Sequence, residues 1–138
     1  MKHLIFLILS ICLLADVEAN AQSTVKTINY NTYENNILPY QEKPVVILFG
    51  ANYCSNSRKM ISVIEELNEE LNDYLDFYIV NIEDGISYNW LLNLFEKTGT
   101  GIQGIPFTAI IDDEGDMVGY YYGPFTKRTF INDFRNNQ

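Results

Sequence analysis

Residues 50 to 60 read GANYCSNSRKM, and within them Cys54 is the side chain best suited to act as a nucleophile. The residues that follow carry a helical period, so Cys54 falls at a helix start. There a sulfur meets the positive end of the helix dipole and unpaired N–H groups, both of which favour the thiolate. Arg58 and Lys59 add positive charge nearby, and Cys54 is expected to be more nucleophilic than a free cysteine. Three positions on, where a dithiol redox protein would place its second thiol, stands Ser57. A dithiol attacks a disulfide with its first sulfur and releases the product with its second. Ser57 cannot perform that second step, although its hydroxyl can donate a hydrogen bond to the Cys54 thiolate. Release then requires an external thiol or a further cysteine on the substrate. Disulfide reshuffling, glutathione-dependent exchange and the holding of partner thiols as mixed disulfides all stay open, whereas unaided net reduction is disfavoured.

Histidine occurs once, at His3, and cysteine twice, at Cys12 and Cys54. Residues 1–21 read as an export signal: Lys2 and His3 make a short basic start, Leu4 to Ala15 an apolar run, and Ala19-Asn20-Ala21 a small-residue cleavage site. The run is shorter than the about 20 residues a spanning helix needs, so no stable membrane span is expected. Cleavage would remove His3 and Cys12 and leave residues 22–138 as one domain with a single thiol, periplasmic or secreted. Such a chain has no Ser-His-Asp or Cys-His catalysis, no histidine-containing or four-cysteine metal site, and no internal disulfide. No metal and no resident cofactor are expected; glutathione enters only as a co-substrate. An odd thiol in an oxidising compartment also permits a disulfide-linked homodimer through Cys54. The net charge of −9 repels phosphate backbones, which argues against nucleic acid as a partner. The expected partners are cysteine-containing exported proteins or small thiols.

The elements that must position Cys54 alternate between strand and helix, as in an α/β domain. Thr24 to Tyr30 reads as an edge strand, and Asn31 with Glu34 as a capping box for a short helix toward Tyr40. After Pro44, the unbroken run Val45 to Phe49 is that of a central strand covered on both faces, ended by Gly50. From about Ser57 a stripe of Met60, Ile64, Leu67 and Leu71 marks a helix whose glutamates form its solvated face. Leu75 to Ile82 is a second buried strand. Ser87 to Thr98 is a helix turning Trp90, Leu91, Leu94 and Phe95 inward. Phe107 to Ile111 and Met117 to Tyr122 flank Asp112-Asp113-Glu114-Gly115-Asp116, which reads as a hairpin turn rather than a calcium loop. Thr126 caps a last helix bearing Phe130, Ile131 and Phe134.

This order of elements, with the residues at their junctions, resembles the thioredoxin family. The strand ends at Phe49-Gly50-Ala51, the aromatic Tyr53 precedes Cys54, Arg58-Lys59-Met60 follows on a helix, and Gly104-Ile105-Pro106 precedes the next strand. The resemblance implies a thioredoxin-like fold over residues 22–138, a central mixed sheet of about five strands flanked by helices. It also implies a cis Pro106 beside Cys54, with Tyr53, Ile105 and Pro106 forming the surface on which an extended substrate pairs. Two departures share a direction. The family signature Trp-Cys-Gly-Pro-Cys is here Tyr53-Cys54-Ser55-Asn56-Ser57, and the family's buried aspartate and lysine are replaced by Leu48 and Ile79. That aspartate assists proton transfer at the second thiol, so the losses belong together.

The reading that follows is a monothiol, isomerase-like or glutathione-dependent thiol-disulfide exchange protein with Cys54 as nucleophile. The competing reading is a thioredoxin-fold binding or chaperone-like module, suggested by the missing second thiol and by Tyr120-Tyr121-Tyr122 and Phe125. Iron–sulfur binding with glutathione is disfavoured, because Cys-Gly-Phe-Ser is absent.

Overall fold

A computed structural model describes residues 25–137. The leader expected over residues 1–21 lies outside the described residues. A single five-stranded sheet has the order β1-β3-β2-β4-β5, formed by β1 (Lys26–Ile28), β2 (Val45–Gly50), β3 (Asp76–Asn81), β4 (Phe107–Ile111) and β5 (Met117–Tyr122). Strands β1, β3 and β2 run parallel, and β4 and β5 are antiparallel to their neighbours, so the sheet is mixed. Among the described residues four α-helices accompany it: α1 (Tyr30–Thr32), α2 (Ser55–Leu71), α3 (Gly85–Thr98) and α4 (Lys127–Asn136).

Strand β2 is buried at all six positions, which accounts for its unbroken apolar run. Its side chains serve two cores in alternation. Val45, Ile47 and Phe49 pack with Phe107, Tyr33 and the α3 residues Trp90, Leu91, Leu94 and Phe95. Val46 and Leu48 pack with Phe77, the α2 residues Met60, Ile64 and Leu67, and Phe130 of α4. Each fully buried aliphatic or aromatic side chain contributes about 1.5–3 kcal/mol of burial free energy. The stripe read on α2 is therefore core at Met60, Ile64 and Leu67, while Leu71 is half-buried at its rim. On the other face Trp90 is gripped by three rings, those of Tyr30, Tyr33 and Phe49, each with its centroid 5.0 Å away.

Three local expectations are corrected. The edge strand is shorter than Thr24 to Tyr30, because Tyr30 already opens α1. The cap is Asn29, whose Oδ1 accepts from the Thr32 N–H at 2.8 Å, and not Asn31 with Glu34. Asn31 lies inside the first turn, where its side chain cannot reach forward to that N–H. The segment then continues as a π turn, Tyr33–Ile37, and a 3-10 turn, Leu38–Tyr40, with Pro39 within its first turn. Helix α3 starts at Gly85 rather than Ser87, since Asp84 is its cap and accepts from the Ser87 N–H at 2.7 Å.

The acidic stretch between β4 and β5 is a turn. Asp112 Oδ1 accepts from the N–H groups of Glu114 and Asp116 at 3.0 and 2.9 Å, and Gly115 supplies the left-handed residue with φ 88°. At the last helix Thr126 caps α4 as expected, accepting from the Thr129 N–H at 3.1 Å. Among the described residues no helix is long and apolar enough to cross a membrane.

Candidate active site

Parallel β2 and β3 deliver their C-terminal ends to one edge of the sheet, where Gly50 pairs with Asn81. The ladder continues one step beyond the strands, with the Ile82 N–H donating to the Gly50 carbonyl at 3.0 Å. The chain turns at once: the Cys54 N–H donates to the Ala51 carbonyl at 3.1 Å, and Cys54 becomes the N-cap of α2. Its backbone is extended, and its carbonyl receives the first helical hydrogen bond from the Arg58 N–H at 3.1 Å. The expected helix start is thus observed, two residues earlier than Ser57. Ordinarily a cap side chain accepts from the helix amides, and Cys54 makes no such side-chain bond.

From the opposite side comes the loop before β4. The Ile105–Pro106 peptide is cis, Pro106 is buried, and Cys54 Sγ lies 3.9 Å from the Ile105 carbonyl oxygen, within reach of a weak S–H donor bond. The Pro106 carbonyl is held by the Gly123 N–H at 2.8 Å, which ties this loop to the end of β5. Cys54 is half-buried and is the free cysteine of the described residues. Tyr53 is 73% exposed beside it.

Ser57 sits on the inner face of the first turn of α2 and is only 3% exposed. Ser57 Oγ has no hydrogen-bond partner among the described residues. A Cys54 thiolate would be able to accept from its hydroxyl. The Ser57 hydroxyl is the largest of the influences that lower the Cys54 pKa, followed by the Ser57 N–H; the Asn56 N–H and the Arg58 charge add less, and partial burial opposes them. The Arg58 guanidinium is held by the Asn52 carbonyl. Lys59 is exposed at the next position.

Sequence reasoning missed two supporting residues. Gly50 was read as a strand terminator, yet its bare Cα is what admits Ser57: an added Cβ would lie 2.8 Å from both Ser57 Cβ and Ser57 Oγ. Asn52 fixes Arg58 through its carbonyl while its own N–H donates to Glu83 Oε1 at 3.3 Å. A glycine directly after a fully buried run was the available signal for the first; nothing in the local sequence marked the second. Behind Ser57 lies a cleft of about 190 Å³ whose floor includes Leu48, Ile61 and Ile79. Leu48 and Ile79 are register partners across β2 and β3, so the pair at this position is apolar.

A cysteine heading a helix at the end of a central parallel strand, facing a cis-proline loop, defines the thioredoxin class of site. Residues 24–136 match the thioredoxin family model, and the chain belongs to the thioredoxin family. It is similar to the chloroplastic thioredoxin-like protein HCF164 of Oryza sativa subsp. japonica, 28% identical over 103 residues that cover 71% of this chain and 37% of that protein. The protein of the same name from Arabidopsis thaliana is 27% identical over 99 residues, 68% of this chain and 36% of that one. The thiol:disulfide interchange protein TxlA of Synechococcus elongatus is 26% identical over 82 residues, 59% of this chain and 40% of its own. The matched part therefore spans well under half the length of these relatives.

Proposed function

We propose that this thioredoxin-family chain is an exported monothiol protein of thiol-disulfide exchange. Cys54 is the nucleophile, Ser57 the hydrogen-bond donor that holds its thiolate, and Arg58 the weaker electrostatic support. The observation that carries the reading is the placement of Sγ: at the head of α2, half-exposed, 3.9 Å from the Ile105 carbonyl and backed by a buried hydroxyl without another partner. The name of the Synechococcus relative, a thiol:disulfide interchange protein, supports the same chemistry.

In the forward step the Cys54 thiolate attacks one sulfur of a disulfide, the S–S bond breaks, and the leaving thiolate departs with the electron pair. The mixed disulfide formed on Cys54 is resolved by an external thiol such as glutathione, or by another cysteine of the same substrate, which completes an isomerisation. An extended cysteine-containing segment lies along Ile105 and Pro106, flanked by Tyr53. Export through the leader read in residues 1–21 would place the protein in the periplasm or outside the cell, among disulfide-bearing partners, and would leave Cys54 free to link two copies.

Intact mass after exposure to oxidised glutathione across a pH series, with Cys54→Ala as control, tests the reading. A rapid single adduct at pH values where an ordinary thiol is slow is the expected result. Modification that follows an ordinary thiol would sink it and favour a binding module on the same fold.

A further inference from the structure

The Cys54 sulfur has a spare donor in its surroundings and an acceptor on one side. Ser57 Oγ, 3% exposed and without a hydrogen-bond partner among the described residues, is that donor, and its hydroxyl is the first of the causes that favour the thiolate. The Ile105 carbonyl, 3.9 Å from Sγ, supplies the acceptor. A thiolate uses only the first of these and is repelled by the second, since a carbonyl oxygen carries partial negative charge. A sulfur bearing a hydroxyl would use both: its lone pairs accept from Ser57, and its O–H donates to Ile105. Around the sulfur the described residues offer no second thiol that could collapse such a species into an internal disulfide.

We infer that Cys54 is a site of reversible oxidation by hydroperoxides, forming a sulfenic acid that persists until an exogenous thiol reduces it. This goes beyond disulfide exchange and shares with it only the reactive sulfur. In the first step the thiolate attacks the terminal oxygen of the hydroperoxide. The O–O bond breaks, an S–O bond forms, and the leaving alkoxide or hydroxide takes up a proton to give an alcohol or water. Sulfur is oxidised by two electrons and the peroxide is reduced by two. In the second step a thiol attacks the sulfenic sulfur, water leaves, and a mixed disulfide forms on Cys54. A second equivalent of thiol releases the free protein and a low-molecular-weight disulfide. The lowered thiol pKa supports the first step, because only the thiolate attacks.

The test uses the reduced chain, one equivalent of hydrogen peroxide or cumene hydroperoxide, and dimedone as the sulfenic acid trap, read by intact mass. Reaction with oxidised glutathione is measured in parallel on the same preparation. The expected result is a gain of one oxygen that dimedone converts to its adduct, that glutathione reverses, and that Cys54→Ala abolishes. Ser57→Ala should slow its formation about tenfold, the effect of losing one hydrogen bond to a charged group. Ser57→Cys should form no dimedone adduct, its new thiol expelling water to give an internal disulfide. Peroxide reactivity equal to that of free cysteine overturns the inference, as does direct passage to sulfinic acid at one equivalent. Either of those results with rapid glutathione adduction overturns the oxidation site and leaves exchange standing. Rapid sulfenic acid formation with slow glutathione adduction does the reverse.

Discussion

The Cβ that Gly50 lacks would stand 2.8 Å from Ser57 Oγ, so the last residue of β2 and the first turn of α2 meet where no side chain fits between them. Gly50→Ala must push α2 outward or drive Ser57 off its rotamer. Overpacking of this kind costs about 1–3 kcal/mol, and it should also weaken the hydrogen bond that Ser57 offers to Cys54. Denaturant unfolding and thiol titration on the same variant should move together, with lower stability and a Cys54 pKa closer to that of an ordinary thiol. Unchanged values for both would mean that the contact relaxes at no cost.

Placing a thiol at position 57 should change how the proposed exchange proceeds. In Ser57→Cys the second sulfur can release a substrate bound to Cys54, so the glutathione adduct should cease to accumulate and an intramolecular disulfide should replace it. Mass spectrometry without reductant distinguishes a loss of two hydrogens from a persistent adduct.

The pH dependence follows from the causes of the Cys54 shift. Folding lowers this pKa, so the folded state binds fewer protons between the folded value and the ordinary thiol value. Stability from this group is complete above the ordinary value, falls as pH drops through that window, and is absent below the folded pKa. Alkylation rate should rise with pH at a midpoint displaced to the acid side. Ser57→Ala should return that midpoint toward normal by more than Arg58→Gln does, because the hydroxyl outranks the guanidinium among the causes. The opposite order would assign the activation to charge.

At the alkaline end Tyr33 is the group to watch. Burial, then the Asp112 charge and Tyr30, raise its pKa to about 12 from 10.0. A raised phenol pKa favours the folded state below 10.0, and that contribution is lost as pH climbs from 10.0 to about 12. Spectrophotometric titration of Tyr33→Phe should lose one late-ionising phenol and leave the early ones in place. Tyr121, which is also partly buried and donates to Asp133 Oδ2 at 2.6 Å, is raised as well and should remain in that late phase.

Much of this fold was legible because its patterns are set by burial. The run Val45 to Phe49, the stripe Met60, Ile64 and Leu67, and the inward set Trp90, Leu91, Leu94 and Phe95 each took the place their periodicity implied. Cys54 stands at a helix head, as the period of the residues after it implied, and the cis Ile105–Pro106 peptide agrees with what the resemblance implied. What was not legible depends on single hydrogen bonds or on the absence of an atom. Asn29 rather than Asn31 caps α1 because the chain leaves β1 early, a matter of strand length that a sequence window does not fix. Gly50 supports the site by what it lacks, and Asn52 by its backbone carbonyl, which every residue type possesses.

The central position of β2 has a consequence for how the protein loses its site. Gly50, the stem from which Cys54 rises, belongs to a strand bonded on both sides and buried at every residue, flanked by both cores. Segments of that kind open last and only with the whole domain, whereas loops and edges fray first. Cys54 is therefore mounted on a strand expected to open only with the whole domain, and partial unfolding elsewhere should leave its stem intact.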